Sequence, residues 1–292
     1  MSASKNMKKQ KKNESMMQLT IRRLFKNKVA VFGLVILALL LLIAIFGPLI
    51  APYSDIEQDL LNCYGLPSLK HPFGTDELGR DILSRLIIGS RASLKIGLVS
   101  VAASAFVGII IGCIAGYFGG RMDNVIMRLM DIFQALPPMV LAIAVCAALG
   151  PGVNNCILAL VISNIPGFVR MARASVLNIR GMEYLEAATA INCSTSRIII
   201  KHILPNALSP LIVQITMGVA NAILSASSMS FVGLGVQPPN PEWGAMLSAG
   251  RNFIRNYPHM VIFPGVVIMI TVLALNMLGD GLRDAMDPKL KD

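Results

Sequence analysis

Side chains that could carry out chemistry are few and scattered along this sequence. His71, His202 and His259 lie far apart, and none has a second metal ligand at helical spacing. The chain contains neither the G-x-x-x-x-G-K-[ST] loop that cradles ATP phosphates nor the H-E-x-x-H pair that binds catalytic zinc. No nucleophile can be paired with a base. We therefore predict no enzyme activity, no metal site and no cofactor bound by this chain.

The polar side chains of the apolar regions are uncharged and concentrated in one segment, residues 207–233. Such groups either line a water-filled path or form hydrogen bonds between helices. We predict that five of them line a translocation path: Gln214, Thr216, Asn221, Ser225 and Ser228.

The elements that must position these residues are membrane-spanning helices. The 292 residues are 54% hydrophobic and 14% charged, against about 25% charged in a soluble domain. A helix needs about 20 apolar residues to cross the hydrocarbon core, and lipid forces each backbone polar group to be satisfied within its own segment. The charge-free windows predict an all-α integral membrane protein with six transmembrane helices, at residues 29–50, 95–118, 133–149, 154–170, 207–233 and 260–279.

The net charge of +10 is distributed as a membrane orientation signal rather than as a nucleic-acid surface. Nine Lys and Arg residues precede the first span, which predicts a cytoplasmic N-terminus, and six spans return the C-terminus to the same side. The predicted division is a basic tail (1–28), a first anchor (29–50), an extracytoplasmic segment (51–94), a five-helix core (95–281) that includes a cytoplasmic loop (171–206), and a cytoplasmic tail (282–292).

Two patterns predict local packing. Thr75 or Asp76 is the predicted cap of a short amphipathic helix through Ile87, either lying at the outer membrane surface or soluble. Small residues also recur at every fourth position in the second span, where they permit close contact with either a partner subunit or another helix of this chain. These residues are Ser100, Ser104, Gly108, Gly112, Gly116 and Gly120.

A second outer segment, residues 237–244, is rich in proline and contains the single tryptophan, Trp243. It packs either beneath a substrate-delivery protein or at the membrane interface, where tryptophan is enriched.

The predicted cytoplasmic loop is expected to form a helix, a turn and a second helix. Alanines favour the first helix, Asn192 tolerates the left-handed conformation that ends a helix, and Ser194 or Thr195 can cap the next one. Pro205 is expected to break the chain before the fifth span. Because the spans contain no charged residue for ion coupling, energy for uphill transport would have to arrive through a docking surface on this side.

The loop resembles the signature of permease subunits of ABC importers, which reads E-A-A, three residues, Gly, nine residues and hydrophobic-x-Leu-Pro. The matching residues are Glu186, Ala187, Ala188, Asn192, Leu204 and Pro205. The resemblance implies a type I permease fold in which these residues couple the spans to separate ATPase subunits. Asn192 departs from the glycine usual in the family, although Asn allows the same backbone conformation.

Further stretches resemble the second permease of the dipeptide, oligopeptide and nickel importer branch, including His71–Asp81, Phe231–Gly235 and Leu278–Asp284. Ala226 departs from this pattern, since relatives often carry an acidic residue there. The resemblance implies ATP-driven import of di- or oligopeptides through the cell membrane. The implied partners are a homologous permease in a heterodimer, two ATPase subunits that use the ATP, and an extracytoplasmic substrate-binding protein.

Three alternatives remain from the sequence. The first is a permease for nickel or another small solute. The second is a self-contained channel or carrier, which the absence of charged relay groups disfavours. The third is a membrane-embedded enzyme, which the absence of a catalytic pair disfavours.

Overall fold

The computed structural model describes residues 16–286, which form a helical bundle whose only β-type pairing is an isolated bridge between Thr75 and Asp81. The predicted tails lie largely outside the described residues, at 1–15 and 287–292. The helices are α1 (Met16–Lys26), α2 (Lys28–Ile50), α3 (Ile82–Phe118), α4 (Gly120–Gln134), α5 (Pro138–Leu149), α6 (Val153–Arg180), α7 (Glu183–Ala190), α8 (Thr195–Arg197), a π-helix (Ile198–Ile203), α9 (Leu204–Phe231), α10 (Trp243–Gly250) and α11 (His259–Met286).

Five of the helical segments are long and apolar enough to cross a membrane, and a bent pair of helices meets the same criterion when its two members are taken together. The five are α2, α3, α6, α11 and the continuous run Thr195–Phe231. The pair is α4 and α5, which meet at 79°. Pro137 and Pro138 lie at this bend, where proline disfavours helical backbone in the residue before it and offers no backbone donor. The six-span, all-helical prediction is confirmed, with the third span bent.

The short amphipathic helix predicted near residue 82 is not a separate element. Its residues form the first turns of α3, which has 37 residues and at 1.5 Å per residue is about 55 Å long. Asp81, rather than Thr75 or Asp76, caps this helix, because its carboxylate accepts hydrogen bonds from the Ser84 backbone N–H and hydroxyl, both at 2.7 Å. Ile82 and Leu86 lie on the apolar face of the predicted helix, and both are buried in the protein core. The prediction that this apolar face meets the membrane surface is therefore wrong.

In the predicted row of small residues, Gly108, Gly112 and Gly116 of α3 pack against α6 within the same chain, whereas Gly120 begins α4 and nothing lies within 4 Å of a β-carbon added there. A β-carbon added at Gly108 would lie 2.5 Å from the β-carbon of Phe168, and one added at Gly116 would lie 2.8 Å from that of Val176. α3 and α6 form the most extensive helix pair in the described residues. Of the two alternatives for this row, the structure therefore shows packing inside the subunit.

Residues 51–81 and 232–258, which include the short helix α10, form a collar at one end of the bundle. Asp81 also contacts His71 Nδ1 at 3.0 Å, and Asp76 holds Arg80 in a 2.7 Å ion pair. Trp243 is 1% exposed and donates from Nε1 to the carbonyl of Leu86 at 3.0 Å. Its indole is thus part of the core and does not anchor the chain at a membrane interface.

Substitution of Gly112 by Ala tests the α3–α6 contact. The added methyl group would collide with the carbonyl oxygen of Val169 and lie 2.7 Å from the β-carbon of Ala172. We expect a loss of about 1–3 kcal/mol from overpacking, measured as a lower thermal unfolding midpoint in detergent.

The matched control is Gly167→Ala, since nothing lies within 4 Å of a β-carbon at that helical position. Its midpoint should be unchanged or higher, because Ala is about 1 kcal/mol more favourable than Gly in a helix. Equal midpoints for the two variants would contradict the proposed packing.

Candidate functional site: the coupling segment and the polar face of α9

The coupling segment, residues 183–206, begins where α6 ends. α6 continues to Arg180, so the first ten residues of the predicted loop at 171–206 are helical, and α7 follows after a two-residue link. Glu183 and Glu186 lie in the first turn of α7. Their negative charges interact favourably with the partial positive charge at the N-terminus of the helix and so stabilise α7.

Asn192 ends α7 in the conformation that its residue type predicted. Its φ is +58°, in the left-handed region. Its N–H donates to the Thr189 carbonyl at 2.9 Å, and the Cys193 N–H donates to the Ala188 carbonyl at 3.1 Å. This pair of bonds is a Schellman motif, which satisfies carbonyls that the helix end would otherwise leave unpaired.

The second half of the segment differs from the expected break at Pro205. Ser194 occupies the cap position of α8, although its side chain makes no capping hydrogen bond. The helix then continues through a π-helical turn into α9, and the Leu204 N–H donates to the Ile199 carbonyl, five residues back. Proline has no N–H and its ring crowds the carbonyl four residues earlier. The wider π-helical turn adjoining Pro205 lets the helix continue, so the prediction of a break there is wrong.

The predicted coupling residues divide between two faces of this segment. Ala188 is 6% exposed and packs inward with Leu185, which is 4% exposed. Leu204 is half-buried against the same cluster. The outward residues, all exposed, are Glu186, Ala187, Asn192 and Pro205.

The inward face belongs to a core cluster shared by several helices, here called the loop-end core. It joins Leu185 and Ala188 of α7 to Cys113 of α3, Val176 of α6 and Leu211 of α9. Because interiors pack at crystal-like density, a displacement of α7 would disturb this cluster.

The sequence prediction missed Ile191, which lies at the turn after α7. Its side chain is 77% exposed, beside the outward residues Ala187 and Asn192. This exposure places an apolar side chain on the same surface as the outward residues of the segment. The signal in the sequence was an apolar residue at the position where a helix must end.

α6 is also joined to the bent pair α4–α5 by ion pairs. Arg173 contacts Asp123 through two bonds, Nε to Oδ1 at 2.5 Å and Nη2 to Oδ2 at 2.6 Å. An exposed pair, Arg170 with Asp131 at 2.7 Å, lies further along the same two helices. Bidentate arginine–carboxylate pairs fix orientation as well as distance, so α4 is held to the half of α6 that leads into α7.

Four of the five predicted path residues share one face of α9. At 100° per residue, Gln214, Asn221, Ser225 and Ser228 fall within a stripe about 60° wide. Asn221 is exposed, while Gln214 and Ser225 are half-buried. The structure therefore brings these four together on a surface that the rest of the chain leaves partly uncovered.

Thr216 does not belong to this stripe. Its hydroxyl donates to the Ile212 carbonyl at 3.0 Å, and its methyl group lies toward Gly279 of α11. Thr216 therefore does not share the face of the other four predicted path residues, since its helical position points it toward another helix of the bundle.

Metal-binding geometry is absent from residues 16–286, where no three His, Cys, Asp or Glu side chains are close enough to hold an ion. The candidate site therefore consists of the exposed face of the coupling segment and the polar stripe of α9.

Comparison with known families agrees with this arrangement. Residues 108–292 match the family described as the binding-protein-dependent transport system inner membrane component, and residues 15–67 match the N-terminal transmembrane domain of oligopeptide transport permease C. The chain belongs to this family of transport permeases. It is therefore a multi-pass membrane protein of an ABC importer and not an enzyme.

Individual relatives are similar along nearly their whole length. The chain is 48% identical to the dipeptide transport system permease protein DppC of Alkalihalophilus pseudofirmus, with 92% of this chain and 89% of the relative covered. It is 46% identical to the di/tripeptide transport system permease protein DppC of Pseudomonas aeruginosa, with 91% and 90% covered. It is 45% identical to the glutathione transport system permease protein GsiD of Escherichia coli, with 92% and 89% covered.

Solved structures support the fold. A chain of the MetNI methionine ABC transporter in an inward-facing conformation superposes with a TM-score of 0.59 at 19% identity, covering 70% of this chain and 98% of that one. A second crystal form of that transporter gives a TM-score of 0.55 at 20% identity, covering 70% of this chain and 96% of that one.

Substitutions at Asn192 test the turn. Asn192→Gly should leave it intact, whereas Asn192→Val should destabilise it by at least the 1–2 kcal/mol that a left-handed residue costs. Hydrogen exchange of peptides covering residues 183–203 would measure this, with faster exchange expected only in the Val variant. Unchanged exchange in that variant would show that the left-handed turn does not hold α7 in place.

Proposed function

We propose that this chain is the second permease of a di- or oligopeptide importer and forms half of its translocation path. The sequence identities above carry the proposal, since the named cargoes of those relatives are dipeptides, di/tripeptides and glutathione. None of these names favours nickel. A homologous permease supplies the other half, two ATPase subunits consume the ATP, and an extracytoplasmic protein delivers the peptide.

In this proposal the N- and C-termini and the coupling segment face the cytoplasm, and the collar faces outward. The exposed residues Glu186, Ala187, Ile191 and Asn192 dock on an ATPase subunit. Closure of the ATPases pushes α7, and the loop-end core transmits the push to α3, α6 and α9. The Arg173–Asp123 pair extends it to α4 and α5. Because a packed core moves as a body, the cavity switches between outward and inward access.

The polar stripe of α9 contacts the peptide during passage. Gln214, Asn221, Ser225 and Ser228 offer uncharged donors and acceptors that replace water around a peptide backbone. The Ser228 hydroxyl already donates to the Leu224 carbonyl at 2.9 Å, which leaves its acceptor sites for the solute. Ala226 is buried behind this stripe, so an acidic residue at this position in relatives would not share its exposed face.

The decisive experiment co-purifies the tagged permease with its ATPase subunits from solubilised membranes and compares wild type with a variant in which residues 186–192 are replaced by a Gly/Ser linker. Wild type should recover ATPase subunits with measurable ATP hydrolysis, and the variant should lose them. Wild type that recovers no ATPase subunits overturns the proposal, and peptide transport by the lone chain in liposomes without ATPase subunits would establish a self-contained carrier instead.

Two point substitutions should separate docking from folding. Glu186→Lys reverses an exposed charge and should abolish peptide uptake while the chain stays in the membrane. Ile191→Ser removes an exposed anchor and should weaken ATPase binding about tenfold, equivalent to 1.4 kcal/mol. Binding measured in nanodiscs and uptake measured in proteoliposomes would check both.

Ile56→Ser is the matched control, because Ile56 is an exposed isoleucine in the collar at the opposite end of the bundle. It should retain wild-type ATPase binding. Normal uptake by Glu186→Lys would refute the assignment of the coupling face.

A further inference from the structure

The carboxylate of Glu242 is buried where three helices meet. Its side chain is 1% exposed and caps α10, accepting hydrogen bonds from the backbone N–H groups of Gly244 at 2.9 Å and Ala245 at 2.8 Å. A capping carboxylate can remain exposed at the end of a helix. Capping alone therefore does not explain why the Glu242 carboxylate is completely buried.

Two hydroxyl groups from other helices supply that reason. Ser93 of α3 donates to Oε1 at 3.0 Å, and Ser230 of α9 donates to Oε2 at 2.7 Å. Each carboxylate oxygen therefore receives one backbone donor and one hydroxyl donor. Four donors satisfy an ionised carboxylate in a buried position, and they join α10 to both long helices.

The surrounding backbone leaves α10 no room to slide. A β-carbon added at Gly244 would overlap the Cα atom of Ser227 on α9, and one added at Gly89 of α3 would lie 3.2 Å from the carbonyl oxygen of Pro241. The backbone N–H of Trp243 also donates a hydrogen bond to the Ser93 hydroxyl at 3.1 Å. Backbone therefore packs directly against α3 on one side, at Pro241, and against α9 on the other, at Gly244.

We propose that Glu242 is a positioning residue for transport. It clamps α10 to the collar ends of α3 and α9, so that the three move as one body when the outer mouth opens. This proposal rests on the proposed function, in which the polar stripe of α9 contacts the peptide. Ser230 lies only two residues beyond Ser228, the last residue of that stripe. Glu242 itself, fully covered, does not touch the peptide.

The test compares wild type with Glu242→Gln in the complete transporter, reconstituted in lipid with its permease partner, ATPases and binding protein. The amide has the same shape, but its NH₂ group would face one of the backbone N–H donors. We expect at least tenfold faster hydrogen exchange in residues 242–250 and 225–231, and no change in 183–203. A tenfold factor corresponds to about 1.4 kcal/mol.

Transport provides the readout that a purely structural cap would not alter. Maximal ATP-driven uptake of a dipeptide should fall about tenfold, while the concentration of loaded binding protein at half-maximal rate changes less than twofold. Ser248→Ala is the control, because Ser248 bonds only the Phe231 carbonyl on the exposed side of α10 and should behave as wild type. Ser230→Ala and Ser93→Ala replace Glu242→Gln if that variant does not accumulate.

Two outcomes overturn the clamp. Faster exchange with normal uptake shows a helix cap without a role in transport, and unchanged exchange shows that the three helices do not depend on the carboxylate. A wild-type complex that fails to import peptide is a failure of the proposed function instead, and the exchange comparison still decides whether Glu242 holds the three helices together.

Discussion

The direct contact between α3 and α6 is the constraint on which the rest of the structure depends. Glycines 108, 112 and 116 bring α3 against α6 so closely that a β-carbon would collide with the facing residues. α3 begins in the collar, and α6 leads into α7. This contact therefore links the collar end of the bundle to the coupling segment through packing alone, without a charged relay.

The coupling segment has an apolar side and an exposed side, and the two sides serve different purposes. Leu185 and Ala188 anchor α7 in the loop-end core, while Glu186 and Ile191 remain outside it. A docking element must hold its own shape while it is pushed. The Schellman turn at Asn192 satisfies the backbone at the end of α7, and the π-helical turn carries the chain past Pro205 into α9 without a break. In the proposed mechanism, force on the exposed side is thereby delivered to the long helices instead of being absorbed by a flexible loop.

Local sequence rules predicted the spans and the turn at Asn192 because both depend on neighbouring residues. Apolar length determines the spans, and tolerance of positive φ determines the turn. The same rules failed where distant residues decide. The first turns of α3 are buried because α10 and the collar cover them, and Trp243 is buried because its indole meets a carbonyl of α3. The hydrogen bonds that bury Glu242 could not be predicted, because their donors Ser93 and Ser230 come from other helices of the bundle.

The central claim is that the coupling segment moves with α9 as one body. It is tested most directly by electron paramagnetic resonance distances between spin labels at Thr189 on α7 and Leu208 on α9, both exposed. The two partly exposed cysteines, Cys63 and Cys193, are first replaced by Ala. In the reconstituted transporter, the account predicts the same narrow distance distribution in nucleotide-free and ATP-bound states. A nucleotide-dependent shift or broadening of this distribution would show that the segment flexes and would contradict the account.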